Sequence, residues 1–205
     1  MKLKFTAAFA ALLLLATTFS FVETGQQTST SSTPLSWSHV SGKDKVVRGL
    51  DYAGFVALTP LDSVQAKFQP AMWDLWKNKN WSALETMVND NKLNGGYPPA
   101  SGFVSVKVVT LKADTKLDRY GSLWGTFVAP QGASFGSRAL PASSKNAIYY
   151  QFKVLKPIEN VKAGKAIPWF GEPGMGMQYQ FKDKINTLIT NKYLIVTDSV
   201  LPAKN

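Results

Sequence analysis

Between Ile167 and Gln180 the chain reads I-P-W-F-G-E-P-G-M-G-M-Q-Y-Q. A stiff Pro168-Trp169-Phe170 is followed by Gly171, Gly174 and Gly176, and then by Gln178 beside an aromatic. Glycines at this density let the main chain take conformations closed to other residues, so a ligand can approach the backbone. An amide has no general-base chemistry of its own, so Gln178 offers orientation by hydrogen bonding rather than proton transfer. The segment predicts a ligand-holding loop with one polar group to orient what is bound.

Composition removes other chemistries. The 205 residues include no cysteine, so neither a disulfide nor a thiolate metal site can form. The single histidine, His39, excludes a His-rich zinc site, and one imidazole without partners reads as a surface residue. No metal site is expected. Lys and Arg number 23 against 13 Asp and Glu, a formal net charge of +10. Such a surface attracts anions in general, including a diphosphate. The lysines are dispersed, with no run of five, so no nucleic-acid partner is expected.

Residues 1–22 read as a secretion signal, with Lys2 and Lys4 ahead of the apolar run Ala7–Ala16. That run is too short to span a bilayer, so the mature chain is expected to be exported and free of the membrane. Residues 23–45, rich in Ser, Thr and Gln, predict a flexible linker. Residues 46–94 predict a helical N-terminal extension. There, Ser82 and Glu85 have capping-box spacing, Leu84, Met87 and Val88 recur at helical spacing, and Gly95-Gly96 end the helix. Met72, Trp73 and Trp76 read as core. Asn80-Trp81-Ser82 is a glycosylation sequon overlapping that cap.

After Leu93 the pattern turns to strands: Phe103–Leu111, Gly125–Ala129, Ile148–Leu155 and Tyr193–Thr197. Ala163–Trp169 reads as a loop or edge strand, and Lys182–Asn191 as a late helix. The fold class expected is α+β, with a mostly antiparallel central sheet of short strands in residues 95–205.

Four pieces in this half keep a fixed order: Tyr97-Pro-Pro-Ala-Ser-Gly-Phe103, Asp118-Arg-Tyr-Gly121, Arg138-Ala-Leu-Pro141 and the loop from Trp169 to Tyr179. With Gly125-Thr-Phe-Val-Ala-Pro130 and Lys156-Pro157, the set resembles the tuberculosis necrotizing toxin family of NAD glycohydrolases, which includes secreted fungal members. The resemblance runs from about Gly95 to Thr197. It implies cleavage of the bond between nicotinamide and ribose, with NAD or NADP as substrate and no cofactor. The leaving pyridinium departs neutral and needs no proton donor, unlike an O-glycoside cleaved between two carboxylates. Ribose must be held and positive charge tolerated at the anomeric carbon.

By the same resemblance Gln178 and Arg119 are the catalytic residues, and Arg138, Tyr120, Phe127, Gly174 and Gly176 bind substrate. Two guanidinium forks suit a diphosphate, while the competing reading has each arginine tie down a turn or pair with Asp118. Tyr120 and Phe127 either flank the rings of the ligand or pack in the core. Trp169 and Phe170 are expected to shape the loop rather than touch ligand. A mycobacterial member has a histidine in the strand after Arg-x-Leu-Pro; this chain has Tyr149 and Tyr150, so no catalytic histidine is carried over. The dinucleotide is the expected small-molecule partner, with a homodimer or an immunity protein open as protein partners. The rival readings are a mono-ADP-ribosyltransferase and a non-catalytic nucleotide-binding surface module.

Overall fold

A computed structural model describes residues 45–201. The expected signal peptide (1–22) and all but the last residue of the expected linker (23–45), with His39, lie outside the described residues. Among the described residues no helix is long and apolar enough to cross a membrane.

Three helices come first: α1 (Tyr52–Ala57), α2 (Gln69–Lys77) and α3 (Trp81–Asp90). Asp51 caps α1 by accepting the Gly54 N–H at 2.7 Å. The buried stripe of α2 is Met72, Trp73 and Trp76; the two indoles stack at 5.3 Å and Phe55 packs against both.

The expected capping box does not form. Asn80, not Ser82, caps α3, accepting the Ala83 N–H. Asn80 precedes the first helical residue, where a side-chain oxygen reaches the free N–H groups one turn on; Ser82 already lies inside the helix. Glu85 turns outward from its own helix and accepts the Phe170 N–H at 2.8 Å, 85 residues away in sequence. Nor do Gly95 and Gly96 terminate α3. It ends at Asp90 with Asn91 as cap, and the glycines form a separate turn.

Seven strands follow: β1 (Lys107–Leu111), β2 (Lys116–Tyr120), β3 (Phe127–Pro130), β4 (Tyr149–Val154), β5 (Ile158–Lys165), β6 (Met177–Gln180) and β7 (Leu194–Val200). They make one sheet in the order β1-β5-β6-β3-β2-β4-β7, and every pairing is antiparallel. The α+β class is as expected. Helix α4 (Ile185–Thr190) crosses between β6 and β7.

Two strands escape the sequence pattern. Asp118-Arg-Tyr-Gly121 reads as a motif, yet Lys116–Tyr120 is a strand between β3 and β4. Met177–Gln180 reads as the end of a loop, yet it is β6, paired on both sides. The alternative of an edge strand over Ala163–Trp169 is also corrected: β5 begins at Ile158 and lies between β1 and β6. Its polar Glu159, Asn160 and Lys162 hide it from a hydrophobicity reading.

Two clusters of buried apolar side chains form the core, and one lies on the sheet. In that one, Leu117, Val128, Phe152, Val154 and Val161 pack with Phe181 and the inner side of α4 (Ile185, Leu188). Elsewhere the indoles of α2, with Leu84, Val88 and Leu93, form a cluster that includes Ala139, Ala166, Ile167 and Trp169. The Trp76 indole donates to the Phe103 carbonyl at 2.8 Å, and Trp169 donates to that of Gly96 at 2.8 Å. Arg48 clamps the same region, donating to the carbonyls of Val104, Trp76 and Lys77. Donors from α2, from Arg48 and from Trp169 thus hold residues 96–104 as a strap.

Glu85→Ala removes a charged acceptor from the Phe170 N–H and is expected to cost about 1.5–3 kcal/mol. Urea denaturation followed by tryptophan fluorescence measures it.

Candidate active site

Asp118 is fully buried, an expensive position for a carboxylate unless its oxygens are paired. Arg138 forms an ion pair with Oδ1 at 2.5 Å. Oδ2 accepts the Tyr149 O–H at 2.6 Å and the Gly132 N–H at 2.8 Å. Asp118 and Tyr149 project from one face of neighbouring strands, since β2 and β4 pair Asp118 with Gln151, two residues from Tyr149. Burial and the hydrogen bond to Asp118 push the Tyr149 phenol up to about 12.

Arg138 donates from Nε and Nη2 to the Ala133 carbonyl, and its guanidinium lies 5.3 Å from the Tyr120 ring centre. Tyr120 in turn packs on Tyr149 at 4.8 Å and meets Phe135 edge-on at 5.4 Å. The pairing reading of Arg138 with Asp118 is therefore realised in the structure, and the ion pair offsets much of its charge.

Arg119 is held differently. Its Nε donates to the Ser122 carbonyl and Nη1 to that of Phe127, both at 2.8 Å, so it braces the connection between β2 and β3. Gly125 lies against the guanidinium so closely that a Cβ there would collide with it. Burial holds this guanidinium below the ordinary arginine value. Among the described residues it has no carboxylate partner.

Gln178 sits mid-strand on β6, half-buried, and its Nε2 donates to the Gly102 carbonyl at 3.0 Å. That bond fixes the plane of the amide. Its oxygen has no hydrogen-bond partner among the described residues.

These groups meet in one cavity of about 450 Å³. Arg119, Arg138, Gln178, Tyr120 and Phe127 all line it. The size falls within the range of small-molecule sites. A smaller space of about 50 Å³, which Asp118 also borders, lies against the same five residues. The opposite wall is Tyr97, Pro98, Ser101 and Gly102 of the strap, together with Phe170. No carboxylate lines the larger cavity. Among the described residues no cluster of three metal-ligating side chains occurs.

Gly174 and Gly176 are not among the lining residues. A Cβ on Gly174 would stand 2.7 Å from the Pro168 nitrogen, and one on Gly176 would stand 2.6 Å from the Ser137 carbonyl oxygen. Their N–H groups donate to the Gly136 and Ser137 carbonyls. The glycines thus admit the protein's own backbone, docking the loop against the turn that carries Arg138.

Phe170 departs from expectation in the other sense. It lines the cavity, while Trp169 is buried. Phe170 holds a left-handed φ of 56°, a strained choice for a residue with a Cβ. Glu85 and an edge-on contact with Tyr97 at 5.5 Å keep it there. The sequence quotes Tyr97 within a motif, but only the strap's path shows it as a wall.

Comparison with known proteins agrees with the motif reading. Residues 110–196 match the model of the tuberculosis necrotizing toxin family. The match takes in less than half of the chain. Within it fall Arg119, Tyr120, Phe127, Arg138 and Gln178. The conidial surface nicotinamide adenine dinucleotide glycohydrolase of Aspergillus fumigatus is 37% identical over 127 residues. The match covers 54% of this chain and 54% of that relative, so the chain spans about half the relative's length. Among solved structures, tuberculosis necrotizing toxin complexed with its immunity factor aligns at 21% identity and a TM-score of 0.43. That alignment covers 49% of this chain and 60% of that one. Rhs1-CT in complex with its cognate immunity protein aligns at 21% identity and a TM-score of 0.36, covering 49% and 83%.

Asp118→Ala leaves the Arg138 charge buried without a counter-ion and is expected to destabilise by about 3–5 kcal/mol. Calorimetric unfolding measures the loss. Tyr149 gives a pH signature. Its folded-state value of about 12 exceeds the ordinary 10.0, so its contribution to stability is full below pH 10 and is lost as pH rises towards 12. Tyr149→Phe is expected to flatten that alkaline decline. Denaturant midpoints for both proteins across this range test it.

Proposed function

We propose that the chain is an exported NAD(P)+ glycohydrolase that cleaves the nicotinamide–ribose bond to give nicotinamide and ADP-ribose, with a toxin-like role. The observation that carries this reading is the single cavity in which Gln178, Arg119, Arg138 and four aromatic rings (Tyr97, Tyr120, Phe127, Phe170) converge without a carboxylate. The family match and the name of the Aspergillus relative support it. For export the supports are the apolar run near the N-terminus and the surface location in that relative's name.

The chemistry suits the site. A pyridinium leaves as a neutral amine, so no acid must protonate it, and Asp118 is already committed to Arg138, Tyr149 and Gly132. Gln178, its amide plane fixed by Gly102, presents Oε1 to a ribose hydroxyl or to the attacking water. Holding the sugar in one pose lowers the entropic part of the barrier. Arg119 supplies the uncompensated positive charge for the diphosphate. Arg138 serves chiefly as the buttress that sets Tyr120 and the loop, with a smaller share in binding. The aromatic walls exclude water and flank the flat ends of the dinucleotide.

Purified protein incubated with NAD is expected to release nicotinamide and free ADP-ribose, read by chromatography. Gln178→Ala is expected to lower that release by about 10²–10³-fold, as for loss of one group that acts in the transition state. Stability should fall by only about 1 kcal/mol, the worth of one hydrogen bond. Full activity in that variant removes Gln178 from the mechanism. ADP-ribose recovered on protein instead of in solution selects the transferase reading. Binding without nicotinamide release selects the non-catalytic one.

A further inference from the structure

Gln180 follows Gln178 by two residues on β6, so its side chain leaves the same face of the sheet. Its amide oxygen is buried and accepts no hydrogen bond. Native proteins leave few such acceptors empty. The residue lines a second cavity of about 410 Å³ with Thr126, Asn160, Lys162, Phe181 and Lys182. No lining residue is shared with the Gln178 cavity, yet the two are neighbours: Gln180 pairs with Phe127 on one side and with Lys162 on the other.

Among the described residues neither lysine is ion-paired. Two ammonium groups, a hydroxyl and a side-chain amide therefore border a space that also contains an acceptor in need of a donor. A plain carboxylate or sulfate would satisfy the lysines and leave the Gln180 oxygen empty. A phosphate ester on a sugar satisfies both, its oxygens meeting the ammonium groups and a hydroxyl donating to the amide.

We propose that this second cavity binds a phosphate monoester carried on a hydroxylated sugar. Two sources share that chemistry: a separate sugar phosphate, or the 2′-phosphate of NADP held in the neighbouring cavity. Only the second source rests on the glycohydrolase reading.

The test titrates ribose phosphate into the full chain and follows the nitrogen-labelled side-chain amide of Asn160, which lines the same cavity, by NMR, with sulfate as control. A saturable shift is expected. Lys162→Gln combined with Lys182→Gln should weaken binding at least about tenfold, the worth of one charged contact. Gln180→Met should weaken ribose phosphate about fivefold and leave sulfate unchanged, since only the acceptor is lost.

The double variant is then compared with wild type for kcat/KM on NADP against NAD. A selective loss on NADP assigns the ester to the substrate. An unchanged ratio with lost ribose phosphate binding assigns it to a separate ligand. The proposal is overturned if neither ribose phosphate binding nor the NADP-to-NAD ratio distinguishes the double variant from wild type. Absence of nicotinamide release in wild type would sink the glycohydrolase reading alone, because the titration decides this site independently.

Discussion

The buried carboxylate of Asp118 organises the candidate site. Placing it where water cannot reach is costly, and the cost is met by an arginine, a phenol and a backbone N–H. Those three partners come from separate parts of the chain: the turn at Arg138, strand β4 and the bend at Gly132. Their common dependence on one side chain keeps the turn, the strand and the bend in register. Tyr120 stands between the Arg138 guanidinium and the Tyr149 ring, so an aromatic that lines the cavity is oriented by the same network.

Against this fixed side stands a wall built by other means. The strap over residues 96–104 joins the sheet through a bridge between Phe103 and Ala166, just past the end of β5, and it is also held by indole and amide donors. Trp76 and Trp169 each bury an apolar body and donate one hydrogen bond to a strap carbonyl. Gln178 does likewise from the sheet. Its amide nitrogen is consumed in holding the strap, and that use is what aims its oxygen. Support and chemistry are thus divided between the two ends of one small group.

Much of this was legible in the sequence where a residue's role depends on its neighbours in the chain. Alternation announced β4, and helical spacing announced α4. The ordered motifs located the segment matched by the family model and named five side chains that do share a cavity. What stayed hidden depends on partners far away. Glu85 looked like a local cap because its spacing from Ser82 fits one, while its acceptor role lies 85 residues on. Strands β2 and β6 are five and four residues long and rich in polar groups, and Arg119, Tyr120 and Gln178 among them border a cavity rather than the core. Gly174 and Gly176 signalled close approach correctly, but density of glycine does not say what approaches. Here it is the backbone of the neighbouring turn.

The strap lies wholly upstream of the matched segment, which starts at residue 110. A piece excised at that boundary would keep Arg119, Arg138 and Gln178, yet leave the amide nitrogen of Gln178 without its carbonyl and the groove open along one flank. The portion that the family model matches therefore carries one side of the vessel and not the other. A protein built on that portion alone would need some other stretch of polypeptide to stand where Tyr97, Pro98, Ser101 and Gly102 stand here.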